Sequence, residues 1–289
     1  MNRALLFAVL AILPSAVRAE ELGAFTLMEG SVRVLRGTMV LHGAEGMRFQ
    51  NGDIVETSSP GFVQAEFSGG TIAAIGPSTR VWIHGSGSQR DLVLMSGWVK
   101  AETGAGGGTY RLVGPLLTAS PKGGAAIVHA GSGVGEIYVE TGTATVSEAE
   151  SGGGKTVAAK TGQFFTRHAG KSVAVGSRPE DAFVDAMPRP FRDTLPPRIS
   201  HFAGKKTPEP KPDHEISYAE AEPWLKLGRG WRRSFEERFQ PRLKDAEFRR
   251  SVEQHIAEYP EWDRILHPEK YENSPTAPSA TSTPPPGSY

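Results

Sequence analysis

The sequence predicts a mainly β protein: an antiparallel β-sandwich or β-roll of two related halves, then a proline-rich linker, a small α-helical hairpin and a disordered tail. Three observations lead there. Apolar and polar residues alternate with period two from Leu22 to about Val175, as in strands that bury one face. Glycine- and proline-bearing turn sequences interrupt the alternation at short intervals. One phrase also recurs. It reads GSVRVLRG at Gly30–Gly37 with Gly52–Ile83, then a looser copy at Ser96–Gly104 with Gly114–His129, and a third opening, ETGTATV, from Glu140.

Taken in order, the first 19 residues read as an export signal. Arg3 supplies the positive start, Ala4 to Leu13 is an unbroken apolar run, and Pro14 breaks it. Val17-Arg18-Ala19 suits a cleavage after Ala19. The apolar run is about half of the roughly 20 residues a membrane span needs, so removal rather than anchoring is expected. The mature chain would begin at Glu20 and reside in the periplasm or outside the cell.

Residues 20–178 are expected to form the β-domain. Val32 and Val34 flank Arg33; Val63, Ala65 and Phe67 alternate with Gln64 and Glu66; Ile137 and Val139 alternate with Glu136, Tyr138 and Glu140. Expected turns are Asn51-Gly52, Ser59-Pro60-Gly61, Ser68-Gly69-Gly70, Gly76-Pro77, Lys122-Gly123-Gly124 and Gly152–Gly154. The predicted core holds Val32, Val34, Val63, Phe67, Ile72, Val81, Ile83, Leu92, Leu94, Val99, Ile127, Val139 and Val146.

Residues 179–215 carry seven prolines from Pro188 to Pro212, which favour an extended linker without regular structure. Phe183, Val184, Phe191 and Ile199 are available to dock on the β-domain. Helical spacing fills residues 216–271. Trp231, Phe235 and Phe239 make one stripe ended by Pro241; Asp245 can cap a second helix with Phe248, Val252, Ile256 and Tyr259, stopped by Pro260. Residues 272–289 are rich in Pro, Ser and Thr, a composition that stays disordered.

Composition excludes several chemistries. Lys plus Arg and Asp plus Glu both number 32, so no net charge draws the chain to nucleic acid. There is no cysteine, hence no disulfide, thiol nucleophile or thiolate ligand.

The first copy of the repeat resembles the FecR domain, found in the periplasmic part of iron-siderophore signalling regulators and in other envelope proteins. The matching residues are Gly30-Ser31-Val32, Gly52-Asp53 before a strand ending in Thr57, Gly69-Gly70-Thr71, Gly76-Pro77-Ser78-Thr79, and Leu92 to Val99 with Gly97. The match covers about Gly30 to Ala101, and Gly142 and Gly162-Gln163 continue it loosely. The resemblance implies a binding or regulatory module without catalytic residues. The family's regulators place a cytoplasmic segment and a membrane helix ahead of this domain. Here the domain follows the expected signal, so direct contact with a cytoplasmic sigma factor is not expected.

No reaction motif competes with that reading. The glycine clusters Gly104–Gly108 and Gly131–Gly135 precede strand-like sequences, whereas a phosphate loop needs a helix behind it. The eight histidines have no metal-ligand spacing, and His84-Gly85-Ser86-Gly87 lacks the spacing of a nucleophile elbow. The helical segment is locally basic, and Arg232, Arg233, Arg249 and Arg250 are candidate contacts to an anionic surface. Arg232–Glu236 and Arg233–Glu237 pairs would instead make a solvated face. The expectation is a non-enzymatic envelope binding, scaffold or regulatory protein that engages an envelope protein or cell-wall glycan, without cofactor, metal or nucleic acid. The alternative is an envelope hydrolase or wall-modifying enzyme, recognisable by convergent acid–base groups in a cleft.

Overall fold

The structure, a computed structural model, describes residues 20–86, 89–104, 108–149, 156–227 and 229–272. The expected signal peptide, the Gly152–Gly154 turn and the tail from residue 273 lie outside them. Two compact units divide the chain. The first runs to Asp213 apart from Gly37–Met39; the second comprises Gly37–Met39 and the stretch from His214. Among the described residues no helix is long and apolar enough to cross a membrane.

The β-unit opens with β1 (Glu21–Arg36), β2 (Met39–His42), β3 (Arg48–Gln50) and β4 (Ile54–Phe67). It continues with β5 (Thr71–Ile75), β6 (Arg80–Ser86), β7 (Gln89–Thr103), β8 (Thr109–Val113) and β9 (Leu117–Gly131). Then come β10 (Val134–Glu148), β11 (Thr156–Lys160), β12 (Phe164–His168) and β13 (Ala174–Gly176), with β14 (Lys211–Glu215) after the proline-rich stretch. Neighbours run β13-β12-β10-β9-β8-β7-β5-β4-β1-β2.

The sheet rolls because its long strands bend in the middle and change partners. β4 pairs with β6 through its first half and with β5 through its second. β7 does the same with β6, then with β5 and β9. Two sequences expected as turns therefore lie inside strands, Ser59-Pro60-Gly61 within β4 and Lys122-Gly123-Gly124 within β9, and Gly97 likewise lies within β7. The physical reason is positive φ. Gly30 at +71° faces Gly61 across a register shift, and Gly124 at +80° faces Gly142 at +79° across another. Such glycines place bulges that turn a strand without stopping its ladder.

One pairing in this otherwise antiparallel sheet is parallel: β8 lies alongside β7, with Gln89 opposite Thr109. This pairing measures the bend. Fourteen residue steps of a straight β7 would span about 46 Å. The six steps from Thr103 back to Thr109 reach at most about 22 Å. The two ends of β7 can be bridged by so short a link only if the strand folds back on itself, as it does at Gly97.

Inside the roll, Phe25, Phe49 and Phe67 pack in a row, tilted and then edge to face, with centroids 5.0 and 4.9 Å apart. Every predicted core residue is buried except Ile72, which is partly exposed. The alternation nevertheless misplaces the outer face. Gln64 and Glu66 are buried, at 1% and 5% exposure, and Lys100 is at 0%. Residues 179–199, expected as a structureless linker, cover them.

That segment is a strap. It contains α1 (Asp181–Ala186) and two 3₁₀ turns, Arg189–Arg192 and Ile199–Phe202. Phe183, Met187, Phe191 and Leu195 pack against Phe62, Ala74, Trp98, Ile127 and Phe164 of the sheet. Each such burial is worth roughly 1.5–3 kcal/mol, enough to order a chain that proline alone would leave extended. Pro190 sits in the first turn of its 3₁₀ helix, where a missing N–H costs nothing. Val184 is half-buried and Ile199, expected to dock, stays 39% exposed.

The second unit is helical but is not a simple hairpin. It holds α2 (Tyr218–Leu225), α3 (Arg229–Phe239), a 3₁₀ turn at Gln240–Lys244, α4 (Ala246–Gln254), α5 (Pro260–Leu266) and α6 (Glu269–Glu272). Ser217 and Glu220 form a reciprocal capping box on α2, and Asp245 accepts from the Phe248 amide, 2.9 Å, to cap α4. Pro241 and Pro260, read as stops, sit in the first turns of the next helical segments. Phe235, Phe239, Phe248, Val252 and Tyr259 are buried with Trp224 and Trp262; Trp231 and Ile256 are half-buried.

Candidate functional site

Part of the FecR-like pattern, Thr57, Gly76–Thr79 and Gly97, meets on one wall of the roll as wiring, while Gly69 and Thr71 line a separate pocket. Thr57 Oγ1 donates to the Gly76 carbonyl at 2.6 Å and accepts from the Thr79 amide at 3.0 Å. Thr79 Oγ1 donates to the Pro77 carbonyl at 3.0 Å and accepts from the Trp98 amide at 2.9 Å. Gly97 passes so close that a Cβ there would lie 2.3 Å from Thr79 Oγ1. Gly30 packs the same way, with a hypothetical Cβ 2.3 Å from the Pro60 carbonyl oxygen.

Above this knot lies a polar cleft of about 370 Å³, near the lower end of small-ligand sites. Its base is a cross-strand row: Arg33 on β1 opposes Glu56 on β4, Glu56 opposes Arg80 on β6, and Arg80 opposes Ser96 on β7. Arg33 Nη2 donates to Glu56 Oε2 at 2.6 Å, while Arg80 Nε stands 3.5 Å from Glu56 Oε1. Two guanidiniums thus share one carboxylate. The rest of the lining is hydroxyl: Ser31, Thr57, Ser58, Ser78 and Ser96. Ser58 Oγ accepts from the Ser31 amide at 3.1 Å and donates to the Pro60 carbonyl at 2.7 Å. Ser78 holds a left-handed backbone, φ +49°.

Elsewhere in the β-unit the buried ionisable groups are engaged by the fold. Arg36 clasps Asp53 through Nε and Nη2 at 2.9 and 2.7 Å, and Arg111 clasps Asp91 with both nitrogens of its fork. The Asp91 carboxylate raises the Arg111 pKa in turn. Lys100 Nζ reaches Glu102 at 2.9 Å, Glu140 at 2.7 Å, and the Phe191 and Asp193 carbonyls of the strap. Glu66 accepts from Thr26 and Gln64 and from the strap amides of Arg198 and Ile199 at 2.6 and 3.0 Å. Burial pushes the Tyr110 hydroxyl up to about 12.

The histidines do not assemble. His129 Nδ1 lies 2.6 Å from the Glu136 carboxylate, and the ring stacks on Trp98 at 4.1 Å. His84 stacks on Trp82 at 4.5 Å, and burial lowers its pKa. Among the described residues no group of three His, Asp or Glu side chains could hold a metal. Gly87 of the serine-bearing sequence, and Ala105 to Gly107 of the glycine cluster, lie outside the described residues.

In the helical unit the candidate arginines have carboxylate neighbours. Arg233 pairs with Glu237 at 3.0 Å and Arg249 with Glu253 at 2.9 Å. Arg232 pairs with Glu261 at 3.3 Å and lies over the Tyr259 ring, rather than pairing outward with Glu236. Glu236 is itself buried, at 7% exposure, which lifts its pKa. Arg250 is exposed.

The cleft escaped the sequence reading because Arg33 and Arg80 look like ordinary outward positions of alternating strands. The available signal was Ser78, a serine two residues after Gly76 in a turn sequence where glycine or asparagine fits a positive φ more easily.

No family model and no curated protein matches this chain. Among solved structures, it is similar to two crystal structures of a candidate anti-sigma factor from Parabacteroides distasonis, at 13% and 12% identity with a TM-score of 0.38 in each. Each match covers 43% of this chain and 59% of that one.

Proposed function

We propose that this is a non-enzymatic binding or regulatory protein of the cell envelope, and that its FecR-like β-unit carries the recognition. The observation that supports the reading is how the ionisable groups are used. Asp53, Glu66, Asp91 and Lys100 are each saturated by partners within the fold, so none is poised as an acid or base. The open cleft instead presents guanidinium and hydroxyl donors on strands and on the Gly76–Thr79 turn, the arrangement that orients a polar ligand.

Co-sedimentation of the full chain with isolated envelope fragments tests this. Saturable binding without release of new soluble products is expected. Turnover of wall material or lipid by the purified protein would overturn the proposal.

A further inference from the structure

We infer that the cleft over the Arg33–Glu56–Arg80 row binds a saccharide through a carboxylate group, such as a uronic acid. The assignment rests on the binding reading above and names the ligand class of that site.

Charge comes first. The row carries two cations and one anion, and Glu56 is bonded tightly to Arg33 and only loosely to Arg80. Among the described residues Arg80 Nη1 and Nη2 donate no hydrogen bond, and the side chain is 44% exposed. A guanidinium edge of that kind matches a carboxylate with two parallel hydrogen bonds. A second carboxylate would complete an alternating row; a phosphate dianion would meet more repulsion from Glu56.

The hydroxyls say what carries the carboxylate. Ser31, Ser78 and Ser96 keep hydroxyl groups without a protein partner among the described residues, and each can donate and accept. No large apolar side chain lines the cleft, so the ligand is held mainly through polar contacts. That suits a sugar acid better than an acidic peptide, whose neighbouring side chains would find no apolar seat.

Ser78 supplies an independent observation. At φ +49° a side chain strains the backbone and glycine would not. Its amide already donates to the Ser58 carbonyl at 3.0 Å, a bond glycine would keep. The hydroxyl is what serine adds, and it faces the cleft. Strain held at an open polar site points to use of that group.

The test is calorimetric titration of the full chain with trigalacturonate, N-acetylmuramate, neutral chitotriose, inorganic phosphate and a glutamate-rich decapeptide. At least one acidic saccharide should bind, trigalacturonate marking an acidic polysaccharide and N-acetylmuramate a wall source. Arg80→Gln should weaken it about tenfold or more, the loss of a bidentate pair. Ser78→Gly should raise Tm by about 2–4 °C while weakening binding severalfold, so stability and affinity move in opposite directions. Binding that neither variant changes, no binding of either acidic saccharide, or equal binding of chitotriose, phosphate or the peptide would overturn the assignment. If envelope co-sedimentation persists while these probes fail, the ligand class is wrong and the binding reading stands. If co-sedimentation fails as well, both fall.

Discussion

Glu236 shows how one side chain sets a pH dependence. It projects from α3 into the helical core, where it is 7% exposed and its Oε1 has no hydrogen-bond partner among the described residues. Burial raises its pKa above the ordinary 4.5, Glu261 adds repulsion, and Arg232 opposes both. A carboxyl that binds its proton more tightly when folded stabilises the fold while protonated. That contribution is complete below 4.5 and is lost as pH rises through the folded value. Glu236→Gln should therefore raise the helical unit's Tm over wild type at pH 7 but not at pH 4. Equal gains at both values would refute the argument.

Gly97 is one of several backbone positions of the β-unit that admit only glycine. Its φ is +93°, and a Cβ would meet Thr79 Oγ1 at 2.3 Å and Thr79 Cα at 2.6 Å. Gly97→Ala should cost the left-handed penalty of about 1–2 kcal/mol plus overpacking of about 1–3 kcal/mol. Gly133, also at positive φ but with nothing within 4 Å, should show the first penalty alone. Urea midpoints of the two alanine variants decide it; equal losses would mean that the Thr79 contact does not matter. Gly97 was legible as a turn residue. Its tight fit against Thr79 was not, because that contact joins residues that only folding brings together.

At the scale of elements, the strap differs most from the sequence reading. Its prolines announced the absence of long helices, and Phe183 and Phe191 announced docking. Nothing local announced that Gln64, Glu66 and Lys100 would be buried, since an outward-facing polar residue reads the same whether water or a strap lies above it. Lys100 is the centre of the latch, ion-paired to Glu102 and Glu140 and bonded to two strap carbonyls. Lys100→Met would take the lysine donor from Glu140 and the two strap carbonyls and leave Glu102 with the Leu195 amide alone. Removing one partner of a buried ion pair costs roughly 3–5 kcal/mol. The Leu195, Arg198 and Ile199 amides, which donate to Glu102 and Glu66, should then exchange hydrogen far faster while the β9–β10 ladder stays protected. Unchanged protection of those three amides would show that Lys100 does not hold the strap.

Over the whole molecule, fold class and element order were readable because period-two burial, positive-φ glycines and helical stripes are local signals. The roll was less so. It depends on Gly30, Gly97 and Gly124 bending strands rather than ending them, and a glycine reads alike in both roles. Export belongs at this scale too: mass spectrometry of the protein from an envelope fraction should find Glu20 at the N-terminus, and an intact Met1 would contradict the expected cleavage.

The central claim, that recognition resides in the β-unit cleft and not on the basic helical face, has one direct measurement. Full-length protein, an Arg33→Gln/Arg80→Gln variant, and an Arg232→Gln/Arg233→Gln/Arg249→Gln/Arg250→Gln variant are bound to envelope fragments and released by a salt gradient. Exposed charge contacts are screened over about 10 Å at 0.1 M salt, so whichever set grips the envelope will show in the release point. The account predicts that the cleft variant fails to bind or elutes early, while the helical variant elutes with the parent. Early release of the helical variant, with the cleft variant unchanged, would contradict it.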